Sequence, residues 1–301
     1  MHIPPAMLHG QICPVTAAVS VLGVAGAAYV ATKSKQKPSA SRFGAIAALI
    51  FAGQMMNFPV LNGTSGHLLG GVLASALLGI PFGILAMTLI LAIQSLVFSD
   101  GGLTTLGANV LNIAIVGAGI GGWFYSKLSD KQPAQSISQM SSLAFASWLS
   151  VVMAAFACSV ELAVSGTVAF STVTAAMIGV QAVIGIAEAV LTVAMYRVFS
   201  AGRNFELSKG SVKTPLLAAI LIGLMLSPLA SSFPDGLGWI AQKYQFLHEA
   251  APAFVSPLAD YTIASMGTGW VSTGLAGMIG VLLTFSLGWF IGKGICVYHR
   301  G

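Results

Sequence analysis

The chain of 301 residues is 56% hydrophobic and only 7% charged, against about 25% charged in an ordinary globular domain. Its mean hydropathy of +0.89 leaves too few polar side chains for a water-soluble surface, which excludes a soluble enzyme, a nucleic-acid binder and a disordered tail. The net charge of +5 comes from basic residues that cluster between apolar runs, so it marks membrane boundaries.

A helix needs about 20 apolar residues to cross roughly 30 Å of hydrocarbon. Such runs lie at 12–31, 43–60, 105–127, 143–165, 172–199, 215–232 and 271–292. The stretch 67–98 is too long for one span and carries Gly79 and Pro81 near its middle, so it divides into 67–79 and 81–98. The pattern predicts an all-α integral membrane protein with about nine transmembrane segments. With the N-terminus outside, nine crossings put Lys33, Lys35, Lys37, Arg42, Lys127, Lys131, Arg197, Arg203, Lys209, Lys213, Lys293 and Arg300 inside. Twelve of the 13 Lys and Arg then share one face, with only Lys243 on the other, as the positive-inside rule requires. The C-terminus falls inside. A signal peptide would carry its charge before the apolar run; here the basic cluster follows it, so a retained native N-terminus is expected.

Residues 1–202 read as a seven-helix core and 203–214 as a charged cytoplasmic linker. Residues 215–301 read as a two-helix accessory segment around an outside loop, 233–270, which holds Asp235, His248, Glu249 and Asp260. The three cysteines, Cys13, Cys158 and Cys296, are too dispersed for a disulfide framework or a CxxC metal site. Gly117-Ala118-Gly119-Ile120-Gly121-Gly122 satisfies GxGxxG but lies within an apolar span with no preceding strand, so it reads as close helix packing. No Walker-type or HExxH pattern occurs, so no nucleotide is expected on this chain.

The five histidines are His2, His9, His67, His248 and His299. Methionine aminopeptidases need a small second residue, so Met1 is expected to stay and supply a free amine. That amine, the deprotonated amide nitrogen of His2 and the His2 Nδ1 can close two fused rings on a metal. Three nitrogens then lie in a plane with one corner open, a geometry that suits Ni(II) or Cu(II). The topology puts His67 on the same face, in the run Asn62-Gly63-Thr64-Ser65-Gly66-His67, where it can fill that corner. By residue type alone, a His at position 2 also reads as a loose terminal residue, and a His at a helix start as interfacial. Asn62, Thr64 and Ser65 are candidates to brace the ring. Asp100 and Glu161, near the outer ends of their spans, are candidates to support the metal site, with a solvated loop residue and a packing residue as the other readings. Glu188 reads as toward the inner half and too deep to touch the ion.

Met1-His2-Ile3-Pro4, Asn62 to Gly71 and Asp100 to Asn109 resemble the CbiM/NikM family, the substrate-capture subunits of energy-coupling-factor cobalt and nickel importers. Glu161 to Thr167 and Glu188-Ala189 are similar as well, so the resemblance spans 1–200. It implies that Met1, His2 and His67 hold Ni(II) or Co(II) as transported substrate. It also implies a transmembrane coupling subunit and cytoplasmic ATPase subunits as partners, and a multi-pass place in the cell (inner) membrane, in contact with membrane lipid. The chain itself would be no enzyme. Two departures stand out: Pro4-Pro5 replaces the acidic-glycine pair of many members, and Pro234-Asp235-Gly236-Leu237, which resembles a CbiN/NikN or PDGLE-type segment, ends in Gly238 where Glu is expected. A self-sufficient divalent-metal permease and a non-transport membrane scaffold are the alternative readings.

Overall fold

The computed structural model describes residues 1–60, 63–200, 211–247 and 256–297. Asn62, Arg203, Lys209, His248, Glu249, His299 and Arg300 lie outside them, as does most of the expected linker.

The described chain is a helical bundle. Its elements are α1 (Ile12–Lys33), α2 (Ala40–Met55), α3 (Gly71–Leu78), α4 (Ile80–Phe98), α5 (Leu106–Leu128), α6 (Ile137–Val164), α7 (Phe170–Phe199), α8 (Lys213–Leu229), a short α9 (Gly236–Lys243) and α10 (Trp270–Val297). Six of them, α1, α4, α5, α6, α7 and α10, are long and apolar enough to cross a membrane; α2 and α8 are shorter apolar helices. The remaining predicted span, 67–79, is the eight-residue α3, preceded by irregular backbone.

Each departure from the predicted runs has a local cause. The run 43–60 stops being helical at Met55 because Pro59 disfavours helical geometry at Phe58. There the chain turns into β1 (Phe58–Pro59), which pairs antiparallel with β2 (Ser65–Gly66). The run 143–165 starts earlier, at Ile137, because the Ser136 hydroxyl accepts from Gln139 N–H and caps a polar first turn. Between α3 and α4, Gly79 takes φ 88°, ψ 150° and Pro81 opens the next helix, so the expected break falls where glycine and proline dictate it. The expected loop 233–270 is partly folded, since Asp235 caps α9 through Gly238 N–H at 2.7 Å.

Helix α2 forms the centre of the bundle, with Phe43 through Ala52 buried. A helix apolar on every side is stable only when covered on every side, and α10 and α8 supply part of that cover. Glycines set the spacing: a Cβ on Gly44 would lie 2.6 Å from the Phe285 carbonyl oxygen of α10, and one on Gly288 would lie 2.9 Å from Gly44 Cα. The C-terminal helices are thus packed into the core. Helix α1, by contrast, presents Val15, Val21, Leu22 and Tyr29 outward, an apolar surface suited to lipid.

The glycine seam gives a direct test. Gly44→Leu should lower the thermal midpoint of the purified protein by several degrees, since overpacking costs about 1–3 kcal/mol. Gly26→Leu on α1, where a Cβ meets nothing within 4 Å, should leave it unchanged. Size exclusion after stepwise heating in detergent reads both, and equal midpoints would contradict the packing described.

Candidate metal centre

The first three residues are buried at one end of the bundle: Met1 is 3%, His2 9% and Ile3 0% exposed. Local structure explains how. Pro4 is extended, and Pro5–Met7 form a single 3-10 turn, so the chain before α1 folds back instead of continuing the helix outward. Ile3 is clamped by its main chain. Its N–H donates to Asn109 Oδ1 at 2.8 Å, and its carbonyl accepts from Thr105 Oγ1 at 2.6 Å, Asn109 Nδ2 at 3.2 Å and Gly102 N–H at 3.1 Å. Thr167 Oγ1 donates to the Met7 carbonyl at 2.7 Å and ties the same segment to the turn between α6 and α7.

Met1, His2 and His67 are brought together. The Met1 amine lies 2.7 Å from His67 Nε2, and the His2 and His67 rings stack with centroids 5.2 Å apart and planes 2° apart. His67 Nδ1 faces the Leu68 carbonyl at 3.0 Å, a contact that puts the proton on Nδ1 and leaves Nε2 a lone pair. The His67 loop is pinned from below: Leu69 N–H and Gly70 N–H donate to the two oxygens of Glu188 at 2.7 and 2.9 Å. Glu188 therefore supports the histidine loop through its backbone, a role the sequence did not suggest.

Two carboxylates stand against the gathered nitrogens. Asp235 Oδ2 lies 2.8 Å from the Met1 amine, and Asp100 Oδ1 lies 2.9 Å from His2 Nδ1. Tyr261 donates to the other oxygen of Asp100 at 2.6 Å. His2 Nε2 is buried with no hydrogen-bond partner. The site opens into a cavity of about 710 Å³, lined by His2, His67, Asp100, Asp235 and Tyr261 among others.

Of the remaining expected residues, Asn62 lies outside the described set. Thr64 and Ser65 are buried, and the Ser65 hydroxyl donates to the Phe233 carbonyl at 2.7 Å. Glu161 Oε2 accepts from Asn112 Nδ2 at 2.7 Å. Asp235, Tyr261, Thr105 and Asn109 are the residues that sequence reasoning passed over as site members. Among the described residues, no three His, Cys, Asp or Glu side chains converge in metal-holding geometry; the gathered nitrogens include a main-chain amine.

The electrostatics follow from burial and these pairs. Burial, then the Met1 amine and His2, push the His67 imidazole down to about 3, so the ring stays neutral with Nε2 unprotonated. Burial pushes the Asp235 carboxyl up, but the adjacent Met1 amine outweighs it and holds the group below the usual range. Asp100 is also held low: burial raises it, while His2 and the Tyr261 hydrogen bond lower it further.

Fold and site together define a multi-pass membrane protein with a nitrogen-lined pocket at one end. Residues 2–205 match the family described as the cobalt uptake substrate-specific transmembrane region, CbiM, and residues 210–296 match the PDGLE domain. The chain belongs to the CbiM family and carries a PDGLE domain behind it, which makes it a non-catalytic, substrate-specific subunit of a metal-transport system. A putative fused nickel transport protein, NikMN, of Archaeoglobus fulgidus is 31% identical over 295 residues, covering 96% of this chain and 97% of that one. A putative cobalt transport protein, CbiM, of Methanocaldococcus jannaschii is 27% identical over 199 residues, covering 65% of this chain and 85% of that one. A crystal structure of a transition metal transporter superposes with a TM-score of 0.58 at 29% identity, covering 66% of this chain and 92% of that one.

Stability should depend on pH in a defined direction. Between the ordinary imidazole value of 6.5 and about 3, the unfolded chain binds a proton that folded His67 refuses, so stability falls as pH falls. Asp100 and Asp235 add a loss of the same sign below the ordinary carboxyl value of 3.8. The stability of metal-free protein should decline from pH 6.5 to 4, by at most about 1.4 kcal/mol per pH unit from His67, and its thermal midpoint should fall with it. His67→Gln should flatten that decline, and an unchanged slope in the variant would contradict the assignment.

Proposed function

We propose that this chain is the capture subunit of an energy-coupling-factor importer and takes Ni(II) or Co(II) at the outer face of the cell membrane. In this reading the nine helical segments cross or enter the membrane with the Met1 end outside and the basic loops inside. The Met1 amine, the His2 amide nitrogen and His2 Nδ1 form the chelate, and His67 Nε2 completes it.

One observation carries the assignment. In such a chelate the fourth donor sits opposite the His2 amide and therefore beside the amine. Two neighbouring corners of a square with metal–nitrogen bonds of about 2.0 Å are roughly 2.8 Å apart. The Met1 nitrogen and His67 Nε2 are 2.7 Å apart. His2 must turn its Nδ1 from Asp100 toward the ion, a rotation about its own side-chain bonds; Asp100 then remains beside the ring to balance charge. Binding also requires the amine to leave its proton behind, so capture should weaken in acid.

The fused architecture of the nickel transport relatives supports cooperation with further importer subunits. A coupling subunit and ATPase subunits would supply the energy, since this chain carries no Walker-type motif. A permease reading is less well served: α2 runs through the bundle centre with Phe43 to Ala52 buried and apolar, offering an ion no donors.

The N-terminus provides the experiment. Adding residues before Met1 turns the amine into an amide, and His67→Ala opens one corner to water. Each should weaken nickel and cobalt retention in purified protein by about 100-fold or more, beyond the 10–100-fold usually lost with an outer partner of a ligand. Mass-spectrometric metal content, with folding checked by thermal melting, reads the result. Wild-type metal content in both folded variants would overturn the site.

A further inference from the structure

The PDGLE domain meets the CbiM part of the chain at the gathered nitrogens. Asp235, the acidic residue of its Pro234-Asp235-Gly236-Leu237 turn, reaches the Met1 amine at 2.8 Å, and that amine reaches His67 Nε2 at 2.7 Å. The carboxylate is held from both sides. Its Oδ1 accepts from Gly238 N–H at 2.7 Å as the cap of α9, which leaves Oδ2 aimed at the amine. The turn itself is fastened to the strand that leads into His67. Ser65 N–H donates to the Pro234 carbonyl at 2.8 Å, Ser65 Oγ donates to the Phe233 carbonyl at 2.7 Å, and Ser65 and Asp235 form a parallel bridge. The turn packs closely on α7: a Cβ on Gly236 would lie 2.9 Å from Gln181 Nε2 and 3.0 Å from Ile184.

We propose that the PDGLE turn is a working part of the capture site, with Asp235 as a positioning residue that holds the Met1 amine against His67. The role rests on the reading of Met1, His2 and His67 as donors. A terminal amine has no covalent neighbour on one side and needs an outside restraint to stay in place. Asp235 supplies that restraint from a turn bolted to the His67 strand, so amine and imidazole share one frame before the ion arrives. Preorganisation of this kind raises affinity by removing the cost of ordering the donors. Its side chain is 26% exposed and lines the cavity of about 710 Å³, so its charge also faces the arriving dication. This gives a fused PDGLE domain a chemical reason to share a chain with the capture domain. Glutamate at position 238 is not needed for it, because the backbone N–H of Gly238 does the capping.

The test uses the full chain purified with its native N-terminus, and compares Asp235→Asn with Asp260→Asn. Asp260 lines the same cavity without contacting a donor nitrogen in the structure, so it controls for loss of charge alone. Asn at 235 keeps an oxygen for the Gly238 N–H and removes the charge held on the amine. Nickel competition against a chelator should show about a tenfold loss of affinity for Asp235→Asn, in the range for an outer partner of a ligand. The absorption spectrum at saturating nickel should stay as in wild type, because the donors are intact. In metal-free protein, an amine-acylating reagent should modify Met1 several-fold faster in Asp235→Asn than in wild type or Asp260→Asn. Wild-type affinity and wild-type acylation rate in folded Asp235→Asn would overturn the proposal. A wild-type chain that binds no nickel, yet shows the acylation difference, would overturn the donor reading and leave only the contact. Should Asp235→Asn not fold, Ser65→Ala cuts the tie between turn and histidine strand; it should weaken nickel binding several-fold, and wild-type affinity there would equally overturn the proposal.

Discussion

An amine taken out of water needs a partner of opposite charge, or it costs the fold several kcal/mol. Met1 meets this with Asp235 at 2.8 Å, and much of that end of the bundle is arranged around the pair. Asp235 must come from beyond α8, so the C-terminal segment has to fold back over the N-terminal one. Ser65 joins the two through the Pro234 and Phe233 carbonyls. Leu258 N–H to the Val97 carbonyl at 2.9 Å and Tyr261 to Asp100 make the same crossing on the other side of the cavity. The Met1–Asp235 pair is thus one of several ties between two sequence-distant halves.

The rest of the bundle supplies a rigid seat. Small residues let α2 and α10 approach until backbone meets backbone at Gly44 and Gly288, which is how helices associate without a hydrophobic gradient between them. Glu188 on α7 reaches two backbone N–H groups at the start of α3, where helix polarity favours a carboxylate. That bond fixes the loop two residues from His67. A carboxylate within an apolar helix is costly unless it is used, and here its use is to hold the loop that carries His67.

Much of this was legible in the sequence. Apolar runs located nearly every helix, Gly79 and Pro81 marked the α3–α4 break, and His2 with His67 stood out because so few other donors exist in the chain. Periodicity could not show that 43–60 ends in a hairpin, because Phe58 and Pro59 are as apolar as the helix before them. The partners of the site were hidden for a different reason. Asp235, Tyr261 and Asn109 act through contacts between segments far apart in sequence, and no spacing rule relates residue 1 to residue 235. Asp235 read as a loop acid, although a carboxylate in a Pro-Asp-Gly turn was the available clue to a helix cap. Glu188 was visible as an intramembrane acid, but its bonds to Leu69 and Gly70 N–H join segments far apart in sequence and follow from no spacing rule.

The claim that a main-chain amine and two imidazoles hold the ion is tested most directly by X-ray absorption at the nickel edge of the loaded, purified chain. The account predicts four nitrogen neighbours at about 2 Å in a planar arrangement, with the outer-ring scattering of two imidazoles. A six-coordinate shell dominated by oxygen, or a shell with fewer than two imidazoles, would contradict it.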